Sequence, residues 1–449
     1  MNRSVLTLGT ALALLAPMSP LGAQEGEEDL RGIILDDPLT MVPRPTSRSA
    51  IAVPDTIDAD GLDPELASTI SQGLRHDLEL SGYFHLLGPA NLFFDQHADG
   101  MTESTINFEN WFNAGTEFLV KTSIDREGDP LRLEFRLFDI DGESEIDLSG
   151  FGYSGARGVA NPVRFADQTH DFANALIQYT TGFPGPFGGQ VACVAPGPSG
   201  SPEVYGVTVG GTEMTLLTDT GAVNVLPSWS GNELLYTSYY TGNPDLIAGT
   251  GRDARILSGR PGINSGAALS PDGSTLALTL SQDGNTEIYL IDPSSGDILS
   301  RLTDHPAEDG DPAWSPDGSQ IAFVSDRSGS PQIHVMNADG SGERRVTSQG
   351  GLNTTPDWSP DGRRIAFTGQ NAQGRLDIYV VGVEDSTVER LTEDQGNNEA
   401  PSWSPDGQFL LFSSTRHGGG PQLYLANQEN EQLPLSAEGI YCTNPAWRR

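Results

Sequence analysis

The chain has 449 residues, 25 Lys and Arg against 61 Asp and Glu, a formal charge of -36 and 2 Cys. That length predicts two or three domains, and the acidic excess repels phosphate, which excludes a nucleic-acid binder. Two cysteines make neither a disulfide-framed scaffold nor a four-thiolate zinc site.

Arg3 precedes an apolar run, Val5–Ala16, followed by Pro17, Pro20 and Leu21-Gly22-Ala23. A short basic segment, an apolar stretch and a small residue before the cut describe a secretory leader, so residues 1–23 are expected to be removed. The run is shorter than the roughly 20 residues that span a bilayer. No later stretch is long enough, and no cysteine lies near the cut to carry a lipid, so the mature chain is expected not to be membrane-embedded. Residues 24–48 have one apolar patch, Ile33-Ile34-Leu35, and read as an extended segment.

Residues 49–181 read as a small α/β domain. Ser49–Val53 is a strand, and Pro64–Ser81 places Leu66, Ile70, Leu74 and Leu78 four apart, an amphipathic helix ended by Gly82. Tyr83–Leu87 resumes as strand, and Phe118–Ile124, Leu131–Ile140 and Ile146–Phe151 form a hairpin series. Pro162–Thr181 is a second amphipathic helix, with Phe165, Phe172, Leu176 and Ile177 on one face. Residues 182–189 are a linker whose prolines limit its flexibility.

Residues 190–449 are repetitive. Ser-Pro-Asp-Gly starts at 270, 315, 359 and 404, at spacings of 45, 44 and 45. Leu269, Trp314, Trp358 or Trp403 precedes it, and Leu276-Ala-Leu, Ile321-Ala-Phe, Ile365-Ala-Phe or Phe409-Leu-Leu follows. Next come Ile288-Tyr-Leu, Ile333-His-Val, Ile378-Tyr-Val or Leu423-Tyr-Leu, and units close on Arg301-Leu-Thr, Arg345-Val-Thr and Arg390-Leu-Thr. A weaker copy surrounds Pro227-Ser-Trp229. A still earlier unit, from Val191, lacks the Pro-x-Trp strand, which stands in phase at Pro445-Ala-Trp447. A period of about 44 with four short strands per unit marks a β-propeller. The fold class is therefore mainly β: six blades closed by joining residues far apart in sequence, after a small α/β domain. The tryptophans are read as packing between blades.

Catalytic signatures are missing: no nucleophile elbow, phosphate loop, dinucleotide fingerprint or His-Glu-x-x-His helix occurs. His334 takes the place of a sibling tyrosine and reads as structural. The acidic turns Asp58–Gly61 and Asp139–Gly142 lack the other ligands of a calcium loop. No cofactor and no metal is expected. The alternatives are a metal-dependent lactonase-type propeller, with Asp309, Asp311, Asn353, Asn398 and Glu399 converging on the axis, and a carbohydrate-binding propeller. By repeat alignment Cys193 stands in the slot of Phe323, Phe367 and Phe412, and Cys442 lies just before the closing strand. A disulfide and two buried thiols are both open.

A leader, a small α/β domain and six blades built on Pro-x-Trp-Ser-Pro-Asp-Gly-x-x-Ile-Ala-Phe resemble the TolB family, periplasmic components of the Tol–Pal system of Gram-negative bacteria. The likeness covers roughly residues 30–449, with Leu30-Arg31-Gly32-Ile33-Ile34-Leu35-Asp36 similar to the family's N-terminal segment. The longer insert 37–48 and the cysteine pair depart from the pattern. The resemblance implies a non-enzymatic, monomeric periplasmic scaffold that supports outer-membrane integrity, invagination during division and import of macromolecules. It implies that Leu30, Arg31, Ile33, Ile34, Leu35 and Asp36 contact TolA. It also implies that the lipoprotein Pal docks at the propeller mouth, on the connections entering the innermost strands. Those are Asn264-Ser265-Gly266, Asp309-Gly310-Asp311, Asn353-Thr354-Thr355, Asn397-Asn398-Glu399 and Thr443-Asn444.

Overall fold

A computed structural model describes residues 48–448, apart from 59–60, 62, 89–91, 97, 126–130, 154, 156, 160–163, 212–213, 394 and 436–440. The leader and the TolA-contact residues Leu30–Asp36 lie outside the described residues.

The N-terminal domain is a mixed sheet. Strand Ser49–Ala52 pairs in parallel with Phe84–Leu86 and with Phe118–Asp125, and Leu131–Asp139 continues antiparallel. Parallel neighbours need a crossover, supplied here by helix α1, Pro64–Ser81. Asp63 caps its first turn by accepting from the Leu66 amide at 3.0 Å, and Gly82 ends it at φ 71°. A short helix not foreseen from the sequence, α2, spans Phe108–Asn113 and is capped by Asn107. Helix α3 spans Arg164–Thr181. The sheet's alternation divides the core: Val120 and Ile124 pack with α1 and α3, while Leu119 and Phe138 pack with Trp111 of α2. The expected strand Ile146–Phe151 is instead a strand only over Ser144–Ile146, followed by a 3-10 turn at Ser149–Phe151. Asp147 diverts the chain, accepting at 2.8 Å from both the amide and the hydroxyl of Ser149.

The described residues after 189 form six four-stranded antiparallel blades. Blade 2 runs from Asn224 to Ser258, blade 3 from Asn264 to Arg301 and blade 4 from Asp309 to Arg345. Blade 5 runs from Asn353 to Arg390 and blade 6 from Asn398 to Pro434. Blade 1 is built from Gln190–Pro196, Pro202–Thr208 and Met214–Leu216, with Thr443–Trp447 as its innermost strand. Trp447 stands opposite Val191 and Ala446 opposite Ala192. Neighbouring innermost strands touch around the whole ring, the closing strand included.

Local chemistry explains the repeat. In each Ser-Pro-Asp-Gly turn the serine hydroxyl bonds the aspartate, and in blade 4 Ser315 Oγ also accepts from the Gln320 amide at 2.9 Å. The turn glycines sit at φ 71–73°, where a Cβ is penalised. The threonine of each closing Arg-apolar-Thr lies just past its outer strand, and its hydroxyl accepts from the third strand's amide: Thr303 from Ile288, Thr347 from Ile333 and Thr392 from Ile378, each at 2.9 Å. A side chain thus satisfies a backbone donor where the ladder ends. The indoles of Trp229 and Trp314 donate to Ala446 and Ala268 of the preceding innermost strands, both at 3.1 Å. His334 packs on Phe323 with ring centres 5.6 Å apart.

The N-terminal domain sits on blades 6 and 1, at the end of the propeller where second strands begin. Tyr83 packs edge-on against Phe409 at 6.0 Å, Asn427 donates to the Ser81 carbonyl at 3.2 Å, and Arg48 pairs with Glu431. In the linker, Asn174 holds both the amide and the carbonyl of Phe187, at 3.1 and 2.9 Å.

At this joint His170 Nδ1 of α3 lies 2.7 Å from Asp77 Oδ2 of α1, both buried. Gly210 of blade 1 approaches so closely that an added Cβ would collide with Asp77 and stand 2.8 Å from the imidazole. Burial raises the Asp77 carboxyl above its ordinary value, with His170 only partly offsetting it. Burial pulls the imidazole down, but Asp77 outweighs it, joined by Asp167 and Asp171, and the net direction is up. His76 is the other titratable group acting on Asp77. Both pKa values rise on folding, so the Asp77 share is lost as pH climbs from about 3.8, while the His170 share is full below about 6.5 and is lost as pH climbs through the raised imidazole value. Stability should therefore fall with pH above 6.5, and His170→Gln should flatten that slope. Denaturant titrations at pH 6 and pH 8.5 with parallel changes in both proteins would refute it.

Candidate partner-binding mouth

The innermost strands begin on the face opposite the N-terminal domain. The residues expected as connections are mostly the strands themselves: Asn264–Leu269, Asp309–Trp314, Asn353–Trp358, Asn398–Trp403 and Thr443–Trp447. Asn397 alone precedes its strand, and it is exposed. The side chains of Asn264, Ser265, Asp309, Asn353, Thr354 and Asn398 are buried, and Gly310 is buried as well. Those seven residues shape the mouth without presenting a surface to a partner. Gly266, Asp311, Thr355, Glu399, Thr443 and Asn444 remain partly accessible.

The buried residues have a different task, which the sequence reading missed. Three third strands carry within their first two residues a carboxylate or amide, Glu203, Gln332 or Asp377, that ties its blade to the next. Gln332 accepts from Asn353 and Thr347 at 2.9 Å. Asp377 accepts from Asn398 at 3.2 Å, Thr392 at 3.0 Å and Arg390 at 2.7 Å. Glu203 binds Thr218 at 2.6 Å and Asn224 at 2.5 Å. The signal was a polar residue before every Ile-Tyr-like pair. Cys442 occupies the place of Asn264 or Asn353, its amide donating to Pro421 as theirs donate to Pro244 and Pro331. There it is bonded to Cys193, with Cα atoms 5.9 Å apart, so a covalent link stands at the seam where the other blades have a polar residue.

A second missed feature lines the axis. Three residues before the tryptophan position, every innermost strand breaks register and turns left-handed. Leu226, Gly266, Asp311, Thr355, Ala400 and Asn444 have φ of 53°, 64°, 50°, 52°, 54° and 49°. Five of the six residues that follow are prolines, which cannot donate to the ladder and so favour a bulge there. Non-glycine residues in this region each cost on the order of 1 kcal/mol or more.

The lactonase-type ligand set is not assembled. Asp309 pairs with Arg327 at 2.7 Å, while Asn353 and Asn398 are held by Gln332 and Asp377. Among the described residues no group of three or more His, Cys, Asp or Glu is placed to hold a metal ion. The Asp139 turn is closed internally, Asp139 accepting from the Gly142 amide at 3.0 Å. No helix among the described residues is long and apolar enough to cross a membrane.

Comparison with known proteins agrees with this architecture. The family model described as TolB amino-terminal domain matches residues 43–146, and the one described as TolB beta propeller domain matches residues 181–375 and 347–449. The Tol-Pal system protein TolB of Desulfosudis oleivorans is 36% identical over 258 residues, 56% of this chain and 57% of that protein. A protein of the same name from Anaeromyxobacter dehalogenans is 34% identical over 311 residues, 68% of this chain and 67% of that one. The chain thus spans a little over half to two thirds of the length of these relatives. The crystal structure of TolB from Acinetobacter baumannii shares the fold, with a TM-score of 0.73 at 24% identity over 90% of this chain and 98% of that one. Matched in both of its domains and in the same order, the chain belongs to the TolB family.

Proposed function

We propose that the protein is a non-enzymatic periplasmic scaffold that receives Pal at the propeller mouth and TolA through residues 30–36. In that role it serves outer-membrane integrity, invagination during division and import of macromolecules. The observation that carries this reading is that the N-terminal domain, among the described residues, packs at the end of the propeller away from the mouth, at blades 6 and 1. Gly266, Thr355 and Asn444 are small and partly accessible at the mouth, which leaves room for a partner's surface.

The test is calorimetry with purified soluble domains of Pal and TolA. Removing residues 24–36 should abolish TolA binding and leave Pal binding intact. Gly266→Trp should block Pal by overlap, because a Cβ there meets only ordinary contacts at 3.4 Å. Gly273→Trp on the opposite face, where nothing lies within 4 Å, is the control: it carries the same positive-φ strain as Gly266→Trp, φ 72° against 64°, and should bind normally. Gly296 and Gly340 are unsuitable controls: a Cβ at either presses on a backbone carbonyl, that of Leu257 or Leu302. Equal loss in both tryptophan variants, or in neither, would place Pal elsewhere.

A further inference from the structure

The axial mouth contains an acidic side chain, Asp311, whose carboxylate the described residues leave without a cation. Asp311 is the only charged residue among the six left-handed axial positions. Its amide donates to Thr279 Oγ1 of blade 3 at 3.1 Å, which fixes it against the neighbouring blade. Its carboxylate extends toward the bulge of blade 3, where a Cβ on Gly266 would lie 3.4 Å from Oδ1. Oδ2 is shielded from solvent and has no hydrogen-bond partner. No basic side chain among the described residues pairs with Asp311. The arginines of this face are committed elsewhere, Arg327 to Asp309 and Glu343, and Arg416 to Asn398 and Gln432. Other buried carboxylates in the ring are treated differently: Asp309 has Arg327, and Asp377 has Arg390. An unpaired charge withdrawn from water is strongly unfavourable, so Asp311 is out of keeping with its siblings in the free protein.

The rim supplies an independent observation. The loop after the second strand of blade 2 opens on this same face, because Ser238 pairs with Asn224 at the strand entrance. It carries Tyr239 and Tyr240, which are 39% and 72% exposed. Exposed tyrosines offer large, stiff contact area and are enriched among residues that dominate binding energy. Tyr441, just before the closing strand, is also exposed.

We propose that a protein partner docks on this face by inserting a lysine or arginine side chain into the mouth against the Asp311 carboxylate, with Tyr240 packing on the partner's surface beside it. The inference rests on the reading of this face as the Pal-docking face. A side-chain cation fits better than a bound divalent ion, since a hard cation needs six or more oxygen ligands and no group of three or more His, Cys, Asp or Glu among the described residues is placed to hold one. Glu399, from blade 6, is partly buried without a paired cation and adds negative potential at the same mouth. The chain's charge of -36 favours a basic contact over any distance. Burial pushes the Asp311 carboxyl up to about 6. The charge that attracts the cation is therefore lost as pH falls through that value, and binding should weaken in the acid range.

The experiment is calorimetric titration of the soluble Pal domain into the wild-type protein, Asp311→Asn and Tyr240→Ala at pH 5 and pH 7.5. Wild type should bind at least several-fold more tightly at pH 7.5. Asp311→Asn, which keeps the shape, should bind about tenfold or more weakly at pH 7.5 and lose the pH dependence. Tyr240→Ala should weaken binding at both pH values and keep the pH dependence. In the absence of Pal, Asp311→Asn should melt at the same or a higher temperature at pH 7.5, because it removes an uncompensated charge. Binding by wild type that Asp311→Asn leaves unchanged overturns this inference and spares the docking face. A lower melting temperature for Asp311→Asn shows that the carboxylate serves the fold and also overturns it. Absence of Pal binding by wild type overturns both the docking face and the inference.

Discussion

Deleting residues 443–449 should abolish the cooperative melting of the propeller. The deletion removes the innermost strand of blade 1 and leaves Gln190–Pro196 as an open edge on the axis. It also removes Trp447, which is 5% exposed within the core joining blades 6 and 1 to the N-terminal domain. Truncating a buried tryptophan alone costs about 3–5 kcal/mol, a large share of the roughly 5–15 kcal/mol that holds a domain together. Replacing both cysteines with serine separates the two contributions. That variant retains the strand and loses a cross-link between positions 249 residues apart, with an expected cost of about 2–5 kcal/mol. Scanning calorimetry and near-ultraviolet dichroism report both results. A truncated protein with an unchanged melting temperature would refute the clasp, and two titratable thiols in the denatured, unreduced protein would refute the bridge.

Asp377→Ala should be among the most damaging single substitutions in the propeller. Asp377 is 1% exposed and receives donors from Asn371, Arg390, Thr392 and Asn398. Asn398 belongs to the next blade's innermost strand, so the carboxylate joins blade 5 to blade 6. Removing one partner of a buried ionic cluster costs about 3–5 kcal/mol; here Arg390 would keep only the exposed Glu393, and Asn398 would lose its acceptor on the neighbouring blade. Asp377→Asn keeps acceptor capacity for Thr392 and Asn398 and should lose less. Denaturant titration of both variants measures the difference. Equal losses would mean that the charge on Arg390 dominates and that the link between blades is secondary.

The propeller was legible because its rules are local and repeated. A turn needing positive φ requires glycine, a strand alternates, and the period of about 44 shows each rule several times over. Even the split blade could be read, since Pro445-Ala-Trp447 is in phase with Trp403. What escaped was whatever depends on neighbours distant in sequence. The parallel order of the first domain's strands depends on packing by α1, and α2 is too short to show a period. The mouth residues look like turn formers by type. Their burial is decided by partners such as Gln332, on another strand, and Arg327, in the turn after one. The left-handed axial positions have no single residue signature: leucine, glycine, aspartate, threonine, alanine and asparagine all occur. Only the proline that follows hints at them.

The clasp also sets a timetable for folding. The strand at Gln190–Pro196 emerges about 250 residues before its innermost partner. Blades 2 to 6 draw all four strands from consecutive chain, so each can assemble as it appears. Blade 1 cannot. Until Thr443–Trp447 arrives, Cys193 stays a reduced thiol on an unfilled edge, exposed to wrong pairing by passing chains. The strand Thr443–Trp447 therefore decides when blade 1 can close, and an oxidant that reaches Cys193 before Cys442 is in place competes with the bond that completes the ring.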